Sequence, residues 1–238
     1  MRREYQQLYN SLFKNSAPYI KIIEKLAKTK SGLSKTEIST ATNLTHNGDL
    51  SQMLENLQYS NIIRCFYGKS RGKIKKRDAY YQVTDLFTLF HLTFADKPTN
   101  STFWQDRAAS SQISNWFGLA FERLCLCHIP QIRKALGLNR IAVEYYSWRS
   151  NGTPKAQIDM IIERADDLIH ICEIKFSNTE YTISKQDDLD MNNRIDAFKL
   201  ESGTKSGTIP TWITSYGLKD NAYSDEVQYQ VVLDDLFE

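Results

Sequence analysis

Long apolar runs are missing from this sequence of 238 residues. No run approaches the ~18 apolar residues that a membrane helix requires, and the first residues lack the apolar stretch of a signal peptide. Cysteine is scarce as well, since the four cysteines form no C-x-x-C pair and do not indicate a disulfide scaffold. With 41% hydrophobic and 24% charged residues, the composition is that of a folded domain. We therefore expect a folded cytoplasmic protein that does not bind a membrane.

The total charge of +2 shows almost no excess of one sign, but each half of the chain has such an excess. Residues 1–110 contain 17 Lys and Arg against 9 Asp and Glu, whereas residues 111–238 contain 13 against 19. A basic half followed by an acidic half is typical of two domains with different partners. The sequence thus predicts a first domain that attracts polyanions and a second that concentrates cations.

Three helices are predicted in the first half. Apolar residues at helical spacing predict helices at 18–28 and 49–60. Between them, Ser34 and Glu37 have the spacing of a capping box, in which each side chain bonds the other residue's backbone N–H. This pair predicts that a short helix, Lys35–Thr42, begins directly after Ser34.

Strands predicted at 62–67 and 79–83 follow these helices, and the complete order is that of a winged helix-turn-helix. The segment between the strands, 69–78, is predicted to be a basic loop, the wing, that contacts DNA phosphates with release of counterions. Its candidate DNA-binding residues are Lys69, Arg71, Lys73, Lys75, Lys76 and Arg77. The alternative is a solvated hairpin tip in a domain that docks onto protein.

The helical spacing of three aromatic residues predicts one more helix, with its rings in the core: Phe87, Phe90 and Phe94. The polar segment that follows, 95–111, is predicted to be a linker. We therefore expect a winged-helix domain over residues 1–94 and a second domain over residues 112–238.

The second domain has the pattern of an α/β fold, in which a central mixed sheet is flanked by helices. Its predicted elements are a helix at 114–129, a strand at 140–148, a hairpin centred on residue 166, a helix at 190–201, and strands at 211–216 and 228–232.

The hairpin is the most informative segment for function. If its turn is centred on Asp166 and neither strand bulges, Asp159 lies directly opposite Glu173, with Cβ atoms within about 5 Å. Lys175 follows Glu173 by two residues and therefore projects from the same face of the sheet. The apolar neighbours of these residues predict strands that are buried on both faces.

Two facing carboxylates repel each other unless something neutralises them. Because burying them with a lysine costs several kcal/mol, a divalent cation is a natural partner, and oxygen ligands favour Mg²⁺ or Mn²⁺. A third candidate ligand is Glu122, which shares a face of the 114–129 helix with small and apolar residues. The alternative for Glu122 is a salt bridge to Arg123 or a place in solvent at the edge of that face.

The sequence resembles the PD-(D/E)XK nuclease superfamily in the order of three features: a helical Glu122, then Asp159, then Glu173-Ile174-Lys175. The superfamily's Asp matches Asp159, its (D/E)xK matches Glu173 to Lys175, and its helical Glu matches Glu122. The departure is Ile158, which stands where the motif has Pro. The resemblance implies a restriction-endonuclease-like domain in which Asp159, Glu173 and Glu122 bind the metal and Lys175 acts in catalysis.

A wider resemblance covers nearly the whole chain. Five segments look like the C-terminal half of a family of prokaryotic AAA+ ATPases, in which a winged helix and a DUF234-type nuclease-like domain follow the ATPase module: residues 81–90, 118–122, 157–159, 172–175 and 232–237. The P-loop pattern G-x-x-x-x-G-K-[ST] is missing here. We therefore expect no ATP hydrolysis by this chain, and an ATPase module as its partner in cis or in trans.

Two functions follow from these patterns. The first is a metal-dependent DNA nuclease, in which the metal polarises a phosphate and lowers the pKa of its water while Lys175 orients that water or stabilises the developing charge. The second is a non-catalytic DNA- or partner-binding module that regulates an ATPase and retains a nuclease fold. A transcription regulator acting through the winged helix alone leaves residues 111–238 unexplained.

Other chemistry-bearing residues in the second half are interpreted as structural. Cys125, Cys127 and His128 are too close along one helix to converge as tetrahedral zinc ligands. His170 alternates with isoleucines and is predicted to lie in the core.

The acidic residues near the start of the last helix, Asp187, Asp188 and Asp190, are interpreted as solvated groups that suit the helix dipole. Lys185 and Gln186 precede them and either face the site or begin the helix in solvent.

Overall fold

The computed structural model describes residues 2–70, 73–94, 102, 103, 105, 110–150 and 156–238. By its internal contacts the chain divides into two compact units, Met1–Phe66 with Lys76–Trp116 and Tyr67–Lys75 with Phe117–Glu238. The fold is mixed α/β. No helix in the described ranges has both the length and the hydropathy to cross a membrane.

In the first unit, helices precede and interrupt a three-stranded sheet with the order β1-β3-β2. Its elements are α1 (Arg2–Leu12), α2 (Ser16–Leu26), β1 (Leu33–Ser34), α3 (Lys35–Thr42), α4 (Gly48–Tyr59), β2 (Ile63–Ser70), β3 (Lys73–Val83) and α5 (Leu86–Phe94). The fully buried residues of α2, α3 and α4 form the centre of this unit: Ile22, Ile23, Leu26, Ile38, Leu50, Leu54 and Leu57.

Local polar signals fix the start of α3. The Ser34 hydroxyl accepts from the Glu37 N–H at 3.2 Å, and the Ser34 N–H donates to Glu37 Oε2 at 2.7 Å. The predicted capping box and the helix Lys35–Thr42 are both confirmed. Asn43 ends the helix in the left-handed conformation with φ of 57°, which asparagine adopts more readily than most residues.

The strands that follow are longer than predicted. Because β2 reaches Ser70 and β3 starts at Lys73, most of 69–78 is strand, and the prediction of a loop there is wrong. Strand tendency depends on pairing context, so a charged sequence can still continue a ladder. Residues 71 and 72 lie outside the described part of the chain, as do the side chains of 67–78, which include all six candidate DNA-binding residues.

The aromatic helix is present as α5, but its stripe is only partly buried. Phe94 is 1% exposed, whereas Phe87 is 44% exposed, so the prediction of a core position is wrong for Phe87. The buried residues include Thr88, whose hydroxyl lies 2.6 Å from the hydroxyl of Tyr9 in α1. Helix α1 therefore packs against the face of α5 that carries Thr88.

The second unit contains a five-stranded mixed sheet with the order β4-β5-β6-β7-β8. Its elements are α6 (Ser111–Cys127), α7 (Ile129–Ala135), β4 (Val143–Arg149), β5 (Gln157–Arg164), β6 (Leu168–Lys175), α8 (Lys185–Ser202), β7 (Gly207–Thr214), β8 (Tyr229–Val232) and two short 3-10 helices, Ser224–Glu226 and Asp234–Phe237. The bounds of the units cut three elements: the end of β2 and the start of β3 count with the second unit, and the first residues of α6 count with the first. Neighbouring strands are antiparallel from β4 to β6 and parallel from β6 to β8.

Both faces of this sheet are buried, as the apolar strands predicted. On one face Met160 and Cys172 pack with Phe121 and Cys125 of α6. The other face carries a second cluster, which includes Ile161, Ile171, Trp212, Met191, Ile195 and Phe198. The three last residues belong to α8, so α6 and α8 lie on opposite faces of the sheet.

Candidate functional site

The hairpin formed by β5 and β6 has the predicted register. Met160 pairs with Cys172 and Ile161 with Ile171, which is the register that the sequence predicted. The paired ladder ends at Met160 and Cys172, so the opposition of Asp159 and Glu173 stays a prediction. Asp167 closes the turn with φ of 63°. The local sequence was sufficient here because the turn is short and the two apolar runs around it have matching lengths.

Glu173 and Lys175 lie on the face of the sheet that α8 covers. Side chains on a strand point alternately to its two faces. Because Cys172 packs on the α6 face, Glu173 points to the opposite face, and so does Lys175 two residues further on. The Lys175 Nζ is 3.0 Å from Glu173 Oε1, and the Glu173 side chain is only 16% exposed. The predicted pairing of these two residues on one face is therefore confirmed.

Helix α8 brings two further charged residues to this pair. Arg194 Nη1 donates to Glu173 Oε2, and Asp187 Oδ1 lies 3.5 Å from Lys175 Nζ. The Tyr181 hydroxyl donates to the same Asp187 oxygen at 3.0 Å. We call these five residues the α8 cluster.

Opposite charges neutralise one another in the α8 cluster. Burial disfavours the charged form of Lys175, but the carboxylates of Glu173 and Asp187 outweigh this effect and raise the pKa of the lysine overall. Burial also disfavours ionised Asp187, yet hydrogen bonds from Ser184 and Tyr181, together with the charge of Lys175, lower its pKa. The two carboxylates and two cations therefore balance one another.

Asp159 has a different set of partners. Its Oδ1 accepts from Gln157 Nε2 at 2.6 Å, and its backbone carbonyl accepts from Ser147 Oγ at 2.5 Å. The register between β4 and β5 shifts at this point, so that Asp159 and Met160 together lie opposite Ser147. Ile158 packs on the α8 face and Met160 on the α6 face, so side chains do not alternate regularly across Asp159. The prediction that neither strand bulges is therefore wrong for β5.

Glu122 belongs to α6 and hence to a helix on the other face of the sheet from the α8 cluster. Its carboxylate forms an ion pair with the guanidinium of its neighbour Arg123, whose side chain is 2% exposed. This is the salt bridge that the sequence offered as the alternative for Glu122. Because Phe121 packs against the sheet, the helix itself is anchored.

The predicted metal ligands are not gathered into one group. Among the described residues, no three or more His, Cys, Asp or Glu side chains are placed together to hold a metal ion. Glu173 is bonded to cations, Asp159 to Gln157, and Glu122 to Arg123. In this arrangement, side chains of the chain itself compensate each carboxylate.

Sequence reasoning missed Arg194, Asp187 and Tyr181 as members of the cluster. The interpretation of Asp187 as solvated is wrong, because its side chain is 18% exposed and contacts Lys175. A signal was present: Asp187 and Arg194 lie seven residues apart, two helical turns, in line with buried Met191. A charged pair on the buried stripe of a helix needs partners on the surface that the helix covers.

Of the remaining candidates near α8, two are exposed and two, Asp188 and Asp190, are half-buried. Lys185 and Gln186 are exposed, and the Gln186 amide donates to Asp190 Oδ1 at 2.8 Å. Asp188 Oδ2 accepts from Asn192 at 3.3 Å on the same helix. These contacts lie within α8 itself.

The residues interpreted as structural in the second unit agree with that interpretation. Cys125 is buried and Cys127 is exposed, so the two thiols point to different environments. His170 is fully buried, with Nδ1 at 2.8 Å from Thr211 Oγ1.

The exposed face of α4 in the first unit is acidic. Asp49, Gln52, Glu55 and Tyr59 are exposed along it, and this helix contains no Lys or Arg. Such a face repels phosphate. Basic residues that suit DNA are instead concentrated in the sequence of the β2–β3 hairpin.

Comparison with protein-family models, curated proteins and solved structures finds no match to this chain.

Proposed function

We propose that this chain is a metal-dependent DNA nuclease, with a winged helix in its first unit and a PD-(D/E)XK nuclease-like domain in its second. The observation that carries the proposal is the contact between Glu173 and Lys175, 3.0 Å apart on one face at the carboxyl end of β6. Ligand sites in sheets with parallel strands commonly lie at the carboxyl ends of those strands.

The donor set suits Mg²⁺ or Mn²⁺ in its chemistry. Asp159 and Glu173 offer carboxylate oxygens, and Mg²⁺ in proteins is often bound by only one or two carboxylates together with oxygens of the substrate phosphate. Asp159 and Glu173 would hold the ion, whereas Glu122 lies on the helix that covers the other face of the sheet and is paired with Arg123. When bound, such an ion polarises the phosphate and lowers the pKa of its water.

The side chains of the α8 cluster supply the other requirements of phosphodiester cleavage. Lys175 is a protonated amine beside the carboxylate, suited to stabilise charge that develops on the phosphate. Arg194 adds a guanidinium, whose planar donors match phosphate oxygens in geometry. Both cations contact Glu173, so a phosphate at this carboxyl end would meet two positive groups.

In the first unit, the order of α2, α3, α4 and the β2–β3 hairpin supports a winged helix. Because the exposed face of α4 is acidic, we assign DNA contact to the basic hairpin rather than to the helix. The resemblance to the C-terminal half of AAA+ ATPases places such a domain beside an ATPase module, which we propose as a partner in cis or in trans.

The charge balance of the α8 cluster favours a second candidate. Glu173 and Asp187 are already neutralised by Lys175 and Arg194, so the cluster satisfies its charges with its own side chains. A domain of this kind is able to keep a nuclease-like fold without cleaving DNA. The second candidate is therefore a non-catalytic DNA- or partner-binding module that regulates an ATPase.

Cleavage of plasmid and single-stranded DNA in Mg²⁺ or Mn²⁺ decides between the two. For the nuclease, we expect Asp159→Ala and Lys175→Ala to reduce the cleavage rate by about 100- to 1,000-fold. Matched controls are Asp220→Ala and Lys205→Ala, which change exposed residues of the same types and should cleave like the unaltered chain. Equal cleavage by all four variants would contradict the nuclease, and retained DNA binding without any cleavage would support the second candidate.

A further inference from the structure

We propose that Asp187 is a positioning residue, which holds the Lys175 ammonium against Glu173 through a fixed connection to Tyr181 and the start of α8. This inference rests on the proposed function for its catalytic meaning, but its structural content is independent of DNA cleavage. Glu173 contacts the end of this flexible side chain from its own strand, and Asp187 contacts it from α8.

Lys175 lies between two carboxylates. Its Nζ is 3.0 Å from Glu173 Oε1 on its own strand and 3.5 Å from Asp187 Oδ1 on α8. A lysine side chain is a flexible four-carbon stem that ends in a compact charge, so its ammonium group can take many positions. Two carboxylates on different elements restrict this freedom, because only one region of space satisfies both.

Hydrogen bonds hold the Asp187 side chain in place, and its two oxygens accept them from different partners. Oδ2 accepts from the Ser184 N–H at 3.0 Å and from the Ser184 hydroxyl at 2.6 Å, which completes the capping box of α8. Oδ1 accepts from the Tyr181 hydroxyl at 3.0 Å and faces Lys175. The start of the helix therefore determines where the carboxylate meets the lysine.

The test measures the mobility of the Lys175 side chain by NMR relaxation of its ε-methylene group in the full-length chain, with Lys175→Ala used to assign the signal. We expect Asp187→Asn to increase this mobility, and Tyr181→Phe to increase it by less. The matched control is Asp188→Asn, which removes the next acid of the same helix turn and should leave the mobility unchanged.

A second control separates positioning from helix capping. Ser184→Ala removes a capping partner but keeps the Asp187 charge, so it should lower the melting temperature while the mobility of Lys175 stays nearly as before. If Asp187→Asn leaves the mobility of Lys175 unchanged, or if Ser184→Ala increases it equally, the inference is overturned.

The cleavage assay adds the catalytic readout. Loss of a residue that orients a catalytic group typically costs about 10- to 100-fold in activity, so Asp187→Asn should cleave DNA that much more slowly. Increased mobility of Lys175 in Asp187→Asn, in a chain that never cleaves DNA, would sustain the placement of Lys175 and refute the nuclease. Cleavage by the unaltered chain, with the same mobility of Lys175 in Asp187→Asn, would do the reverse.

Discussion

His170 gives the second unit a measurable dependence on pH. The ring is fully buried in β6, with Nδ1 at 2.8 Å from Thr211 Oγ1 and Nε2 at 3.4 Å from Arg164 Nη1. Tyr229 packs edge-on against it, with ring centroids 4.9 Å apart. Burial, and secondarily the positive charge of Arg164, lower the pKa of His170 from 6.5 to about 4.

The sign of the effect follows from which state binds the proton. Between about pH 6.5 and pH 4, the unfolded chain protonates this histidine while the folded chain keeps it neutral. Stability is therefore lost as pH falls through this window and levels off below it. The difference between the two pKa values corresponds to about 3 kcal/mol of unfolding free energy, a large share of the 5–15 kcal/mol typical of a domain.

Urea unfolding followed by tryptophan fluorescence between about pH 7 and pH 4 measures this loss. We expect His170→Gln, which cannot titrate, to remove most of the decline, and His46→Gln, at an exposed position, to retain it. The carboxylate of Asp187 does not interfere, because its pKa is lowered and its contribution is lost only at more acidic pH. Equal declines in the unaltered chain and in His170→Gln would refute the reasoning.

Three further predictions concern stability, each measured by urea unfolding. Ser34→Ala removes the α3 capping box and should cost about 1 kcal/mol; an unchanged midpoint would contradict this. Gly32→Ala places a Cβ 2.6 Å from the backbone oxygen of Tyr81 at φ of 71°, so a loss of more than about 1 kcal/mol is expected, and a stable variant would show the reasoning wrong. Phe198→Ala opens the core under α8 and should cost about 3–5 kcal/mol, whereas Leu200→Ala, 85% exposed on the same helix, should cost little.

The parts of the fold that the sequence predicted well depend on short-range chemistry. Ser34 and Glu37 determine the start of α3 by themselves, and the turn at Asp166 sets the register of β5 with β6. The segment 69–78 was predicted wrongly because its charges suggested a loop, whereas pairing between β2 and β3 extends the strands. Composition reports solvent exposure better than it reports backbone pairing.

The candidate site divides in the same way. The alternation of strand side chains was enough to bring Glu173 and Lys175 together, since both lie on one strand. Arg194 and Asp187 come from α8, and their arrival depends on how that helix packs across the sheet. The shift in register beside Asp159 likewise arises from β4, which the symmetry of the hairpin does not describe.

The position of β6 between an antiparallel and a parallel neighbour has a consequence for the order of folding. Its partner β5 is three residues away along the chain, whereas its partner β7 pairs as Lys175 with Thr214 and follows only after α8. Local contacts close quickly and distant ones slowly, so the β5–β6 hairpin should form before β7 and α8 dock. Glu173 and Lys175 would then be joined early, and Arg194 would reach them only in the last stage of assembly.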